Sequence, residues 1–197
     1  MRNCAKLPSA TRRSLKANRI PNPAEQFGEI EPLSTKHDKL RSSFSCGAEP
    51  LDRYLKQQAS QDSKKRVAVP YVLLSADGRI AGYFTLSSTN IRIDDLPLDL
   101  LKQLRLPRYP AVGATLLGRL ARDLSFRGHG VGELLLVHAL KLSLLMSRKI
   151  ASVGVVVDAK DEHASQFYRD FGFVAFSDPQ SRLLLRMEEV EKLFPVG

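Results

Sequence analysis

The chain has 197 residues, with 30 Lys plus Arg against 21 Asp plus Glu and a formal net charge of +9. Its 43% hydrophobic and 26% charged residues suit one globular domain of ordinary size and exclude a wholly disordered chain or a fibrous repeat. The longest apolar-rich stretch, residues 131–146, is cut by Glu133, His138, Lys141 and Ser143, which excludes an ordinary membrane span, and the basic balance points toward a polyanionic partner.

Residues 1–28 carry Arg2, Lys6, Arg12, Arg13, Lys16 and Arg19 against Glu25 alone, with Pro8, Pro21 and Pro23 breaking any periodicity. They read as a basic, disordered leader or an early start codon in preference to an organelle address. The domain is expected over residues 29–190, with 191–197 as a tail. Cys4 and Cys46 make no CxxC and no ligand spacing, so a reducing, cytoplasmic setting is expected.

A short strand is expected over Gly28 to Leu33, then a broken helical stretch with a Ser-Cys-Gly interruption. Glu49 to Ser63 has helical spacing, with Leu51, Tyr54, Leu55 and Ala59 on one face. Arg53, Lys56, Lys64, Lys65 and Arg66 fall on its other side or its end. Val67 to Ser75 and Arg79 to Ile91 flank Ala76-Asp77-Gly78 and predict a hairpin with an Asp-Gly turn. Residues 94–110 predict a short helix and a basic loop through Arg105 and Arg108. Ala114 to Asp123 predicts a strand, Ser125 to Gly130 a loop, and Val131 to Ser147 a helix apolar around most of its circumference, as if buried on more than one side. Ala151 to Val157 reads as a central strand, Asp161 to Phe171 as a helix ended by Gly172, and Phe173 to Phe176 and Arg182 to Met187 as strands around a Ser-Asp-Pro turn. Two strand–helix units flanked by hairpins imply a mixed sheet with helices on it.

The most informative segment is Arg127-Gly128-His129-Gly130-Val131-Gly132, between a strand and a long helix. Alternating glycines let main-chain N–H groups turn toward one point, and a helix start favours an anion there. No Lys-Ser/Thr follows, as a P-loop needs, and the spacing is not that of dinucleotide folds.

Arg-x-x-Gly-x-Gly in this position resembles the acetyl-coenzyme A signature of the GNAT acetyltransferases. Asp161, Ala164, Phe167 and Tyr168, followed by Phe171-Gly172-Phe173, resemble that family's second half-motif, with Asp161 standing at the family's Asn. An ionised Asp accepts hydrogen bonds without donating them. The run from Leu116 through Gly118, Arg119 and Ala121 to Asp123, the stretch Val155 to Asp161, and Phe44-Ser45-Cys46-Gly47 with Leu51-Asp52-Arg53-Tyr54-Leu55 are similar to the GNAT toxins of toxin–antitoxin pairs. The match covers residues 28–187; Arg122 and His129 depart from the pattern without removing a main-chain donor.

The resemblance implies an α/β (α+β mixed) GNAT fold: a central, mainly antiparallel sheet with one splayed parallel strand pair, flanked by helices. It implies acetyl-CoA as co-substrate, held by main chain at Arg127, Gly128, His129, Gly130, Val131 and Gly132 and near Leu120, Ala121 and Arg122, with Asp161 at the pantetheine position. Tyr168 is the expected proton donor to the departing thiolate, since a neutral phenol donates without carrying charge; packing at a helix end is its structural alternative. The acceptor implied is aminoacyl-tRNA, contacted by Arg53, Lys56, Arg105, Arg108 and Arg119, with an internal salt bridge as Arg119's alternative. A ribbon-helix-helix antitoxin is the implied partner, and dimerisation is left open.

His37, His129, His138 and His163 lie in four separate segments, so no metal site is expected; His138 is read as a hydrogen-bonded core or edge residue. Two alternatives stay open: a GNAT enzyme acting on a protein or small amine, and a non-enzymatic nucleic-acid-binding module.

Overall fold

The computed structural model describes residues 27–105, 109–176 and 181–194. Strands β1 (Phe27–Pro32), β2 (Val69–Ser75), β3 (Ile80–Arg92), β4 (Ala111–Arg122), β5 (Gly154–Asp158), β6 (Val174–Ala175) and β7 (Arg182–Arg186) form one sheet in the order β1-β2-β3-β4-β5-β7-β6. All neighbours are antiparallel except β4 and β5. The helices are α1 (residues 49–64), α2 (Leu98–Leu104), α3 (Val131–Ser147), α4 (Glu162–Asp170) and α5 (Met187–Leu193).

The sheet separates two apolar layers. One face buries Leu135, Leu136, Ala139 and Leu140 of α3, with Tyr168 of α4 and Val190 of α5, against Phe84, Leu117, Val155 and Val157. On the other face α1 sets Tyr54, Leu55 and Ala59 against Tyr83 and Ala121, while α2 packs Leu100 with Ile91, Ala114 and Val156. Helices α1 and α2 therefore cover opposite ends of β4. Gly118 is the bulge that makes this register: Thr85 pairs with Arg119 and Leu86 with Leu117, leaving Gly118 without an opposite residue.

The predicted elements are present, with four differences. Phe27 pairs with Ser75, so β1 begins inside the segment read as leader. Residues 187–193 form α5, beyond the expected strand and into the expected tail. Helix α3 is buried on one side only: Leu145 is 53% exposed and His138 lies on the solvent side, not in the core. The helix read as continuous from Glu49 contains a π-helical turn over Tyr54–Gln58, where Ala59 N–H donates to Tyr54 O. The Ser-Asp-Pro turn lies outside the described residues.

That π turn leaves a carbonyl without its usual partner, and Arg41 Nη1 supplies one by donating to Leu55 O at 3.1 Å. Cys46 is a free thiol whose pKa burial pushes up to about 11. Among the described residues no helix is long and apolar enough to cross a membrane, and no three His, Cys, Asp or Glu side chains converge as metal ligands.

Gly82 lets the start of α3 approach the sheet closely. A Cβ there would lie 2.7 Å from Leu135 Cδ1, 2.8 Å from Ala121 O and 3.1 Å from Val131 Cγ1. Gly82→Ala must therefore push α3 outward, and overpacking of this kind costs about 1–3 kcal/mol. Urea unfolding of the variant is expected to report a loss in that range.

Candidate active site

The site is built where two parallel strands part. Thr115, Leu116 and Leu117 of β4 pair with Val155, Val156 and Val157 of β5, and β4 then runs on to Arg122 while β5 ends at Asp158. Asp123 N–H donates to Ala81 O at 2.9 Å, so alternation along the strand turns the amides of Leu120 and Arg122 away from β3 and into the gap. The same alternation turns Ala121's amide to the β3 ladder. Of the three residues expected to bind by main chain, Leu120 and Arg122 present it; Ala121 contributes its side chain to the face under α1.

Beyond Arg122 the chain makes a short 3-10 turn, Leu124–Phe126, capped by Asp123, whose carboxylate accepts from Ser125 N. Gly128 and Gly130 then take φ values of +83° and +72°, a left-handed conformation that most side chains resist. Gly130 is the N-cap of α3. Within this loop Arg127 N–H donates to Leu124 O and His129 N–H to Phe126 O, so those two amides are spent. Gly128, Gly130, Val131 and Gly132 have no backbone acceptor among the described residues, and Val131 and Gly132 open the first turn of α3. Four free N–H groups and the positive end of a 17-residue helix make an anion site.

The rim is cationic and aromatic. The Arg79 guanidinium lies 5.1 Å from the Phe126 ring centroid, Arg122 Nη1 donates to Asp123 O, and the Arg127 and His129 side chains are exposed. His129 Nδ1 lies 3.1 Å from Arg127 O, holding the imidazole against its own loop.

Helix α4 closes the gap from the β5 side. Phe167 Cζ comes within 4.0 Å of the position a Cβ would take at Gly132. Tyr168 packs edge-on between Phe167 and Phe173, with centroids 5.3 and 5.4 Å away. Only 8% of it is exposed, and burial pushes its pKa up to about 12, so the phenol keeps its proton throughout the neutral range. Its hydroxyl has no hydrogen-bond partner among the described residues. Asp161 caps α4: Oδ1 accepts from Ala164 N at 2.8 Å, and that bond, with Lys160 nearby, holds its carboxyl below the usual range.

The cationic residues do not form one cluster. Arg53 and Lys56 stand on α1, Arg53 within 3.7 Å of Glu49. Arg119 takes no carboxylate among the described residues; instead of the salt bridge considered for it, its guanidinium sits 3.5 Å from the Tyr54 ring centroid. Arg105 is the left-handed C-cap of α2, which packs at the far end of β4 from the gap. Arg108 lies outside the described residues.

Tyr54 is 2% exposed, and its hydroxyl, with Asp62 nearby, has no partner within ordinary hydrogen-bond geometry among the described residues. Burial pushes its pKa up to about 12, against the opposing pull of Arg119. Its ring carries the Arg119 guanidinium on the α1 side of β4, a role the sequence left unassigned for Tyr54 although it stood in a motif-like run. Asp52, Ser45 and Asp123 likewise stood in such runs without a role; the Ser45–Asp123 bond that joins them spans the chain and leaves no local spacing to read.

The chain matches the model of the acetyltransferase (GNAT) family over residues 35–173. It is 29% identical over 152 residues to a tRNA-acetylating toxin of Mycobacterium tuberculosis, covering 77% of this chain and 89% of that protein. It superposes on AtaT complexed with acetyl-methionyl-tRNAfMet with a TM-score of 0.76 and 28% identity, over 84% of this chain and 98% of AtaT. With AtaTR bound with AcCoA the TM-score is 0.70 at 25% identity, over 86% and 98% of the two chains.

A side chain at Gly132 would point toward the mouth between α3 and α4 while leaving the backbone helical. Gly132→Val is expected to fold with an unchanged melting temperature and to lose at least about tenfold in acetyl-CoA affinity, each tenfold being about 1.4 kcal/mol. Calorimetric titration measures it.

Proposed function

The chain belongs to the GNAT acetyltransferase family and is an acetyl-CoA-dependent enzyme; from that premise we propose that it transfers acetyl to the α-amine of aminoacyl-tRNA and thereby blocks translation. The observation that carries this reading is the likeness, over 84% of this chain and 98% of AtaT, to AtaT complexed with acetyl-methionyl-tRNAfMet. The charge balance of the sequence and the cations of α1 beside the gap support it.

The residues fit the donor. The free amides at Gly128, Gly130, Val131 and Gly132 would hold the pyrophosphate, and the unpaired amides of Leu120 and Arg122 would pair with the amide-bearing pantetheine arm as a strand does. One of those gap-facing amides would also meet the negative charge that grows on the thioester oxygen. Asp161 is occupied as a helix cap, so its contribution to pantetheine runs through the placement of α4.

In the reaction the amine nitrogen attacks the acetyl carbonyl, the C–S bond breaks, and the sulfur leaves as thiolate. Tyr168 gives that thiolate its phenolic proton, and the proton released by the acylated amine returns to solvent or to the phenolate. An α-amine titrates at about 7.7–8.0 in peptides, so much of it is already neutral at working pH and needs no strong base. Arg53, Lys56 and Arg119 would bring the phosphate-rich acceptor stem to the α1 side. The toxin resemblance extends the proposal to a ribbon-helix-helix antitoxin as the neutralising partner.

Two outcomes test the proposal. Tyr168→Phe is expected to bind acetyl-CoA as the parent does while kcat falls by about 10²–10⁴-fold, the usual worth of a placed general acid; an unchanged kcat refutes the role. Incubation with pooled charged tRNA and labelled acetyl-CoA is expected to yield N-acetyl-aminoacyl-tRNA by mass spectrometry. Acetyl incorporation that survives complete removal of RNA would point to a protein or small amine instead.

A further inference from the structure

Two carboxylates outside the reacting centre tie the acceptor side to the anion cradle. Asp52, in the first turn of α1, accepts from Cys46 N at 2.8 Å through Oδ1 and from Ser45 Oγ at 3.0 Å through Oδ2. Ser45 then reaches across the chain: its N–H donates to Asp123 Oδ2 at 2.8 Å, and its carbonyl accepts from Leu124 N at 2.8 Å. Asp123 closes the path by accepting, through Oδ1, from Ser125 N at 2.9 Å and Ser125 Oγ at 2.5 Å. Gly47, at a φ of +81°, brings this segment against the Leu124 side chain.

Leu124 to Phe126 is the turn whose carbonyls take up the amides of Arg127 and His129, and so decides which amides of the glycine loop remain free. A displacement of Asp123 or Ser45 therefore turns the cradle. Both carboxylates stay ionised at neutral pH: burial opposes this, but the hydrogen bonds they accept outweigh it and hold both below the usual carboxylate range.

We propose that Asp52 and Asp123 are positioning residues joined through Ser45 into one strap, so that the cradle's affinity for acetyl-CoA depends on an α1 side chain that touches no part of the cradle. The strap makes donor and acceptor sites a coupled pair. Cofactor bound at the cradle steadies the start of α1, and by reciprocity an acceptor on α1 tightens the cradle. The inference rests on acetyl-CoA binding by the family and is independent of whether the acceptor is tRNA.

The test compares Asp52→Asn, Asp123→Asn and the double variant in the full chain. Each single change is expected to weaken acetyl-CoA binding about 3–10-fold by calorimetry and to raise the acetyl-CoA KM with a smaller change in kcat. The double variant should lose no more than the worse single, since both break one path. In the parent, acetyl-CoA should slow hydrogen exchange at the Ser45 and Cys46 amides, and in Asp123→Asn it should not. Asp52→Asn protein that melts earlier yet binds acetyl-CoA as tightly as the parent would show a role in stability alone and overturn the proposal. If Asp52→Asn does not fold, Ser45→Ala removes only the Oγ link and is expected to weaken binding about 2–5-fold; parental affinity there overturns the proposal equally. Failure to acetylate charged tRNA would sink the substrate assignment and leave these binding results standing.

Discussion

The structure depends on the place where β4 outruns β5. A parallel pair that stops after Leu117 leaves the following main-chain groups of β4 facing a gap, and unpaired amides demand a partner. An extended ligand carrying its own amides is the kind of partner such groups can accept. The bulge at Gly118 sits at the start of the gap, where an added residue bends β4 and increases its twist. The opening is thus a property of the sheet itself, produced by its own register and ready before any ligand arrives.

Around the gap the two sheet faces divide the work. The face bearing α3 and α4 supplies the glycine-loop amides and the Tyr168 phenol; the face bearing α1 supplies Tyr54, stacked under Arg119. Gly82 lets α3 settle on the sheet, so its N-terminus points at the end of β4 and not above it. On the other side, the π turn in α1 begins at Tyr54, which lies under Arg119, and Arg41 takes up the Leu55 carbonyl within it. Geometry of this kind is costly to hold, and both devices use buried contacts that a surface loop lacks.

Much of this was legible along the chain. The hairpin, the glycine loop, α3 and the end of α4 each follow from residues close together: Asp77-Gly78, the alternation Gly128-x-Gly130-x-Gly132, and Gly172 after Phe171; the Asp161 cap of α4 shows in the structure alone. What was not legible is long-range. Ser45 and Asp123 are 78 residues apart, and nothing in either neighbourhood announces the bond. Arg119, expected at tRNA with an internal salt bridge as its alternative, packs on the ring of Tyr54, which stands far away in sequence. Helix α5 was lost because seven residues, three of them Glu, give little apolar periodicity; Met187 and Val190 become a face only when α3 is there to pack against. The apolar circumference of α3 overstated its burial for a related reason: the sequence shows which residues are apolar, and the packing of neighbours decides how many of them are covered.

The carboxylates near the gap also bear on the choice of acceptor. A lysine amine titrates near 10.4 and needs a base to give up its proton at neutral pH. Asp52 and Asp123 are two of the acids on this side, with Asp62 near the Tyr54 hydroxyl and Glu49 beside Arg53; Asp52 and Asp123 each already accept two or more hydrogen bonds and are held below the usual range. A carboxylate so stabilised is a weak base and, being spent on the strap, is poorly placed to turn toward a substrate. Tyr168, pushed upward by burial, can donate a proton but does not ionise to accept one in the neutral range. A buried phenol that keeps its proton, beside two carboxylates already spent on hydrogen bonds, suits an amine that arrives substantially neutral, and an α-amine on an aminoacyl ester is of that kind. The two carboxylates that hold the site in register are therefore not free to serve as the base a lysine acceptor would need.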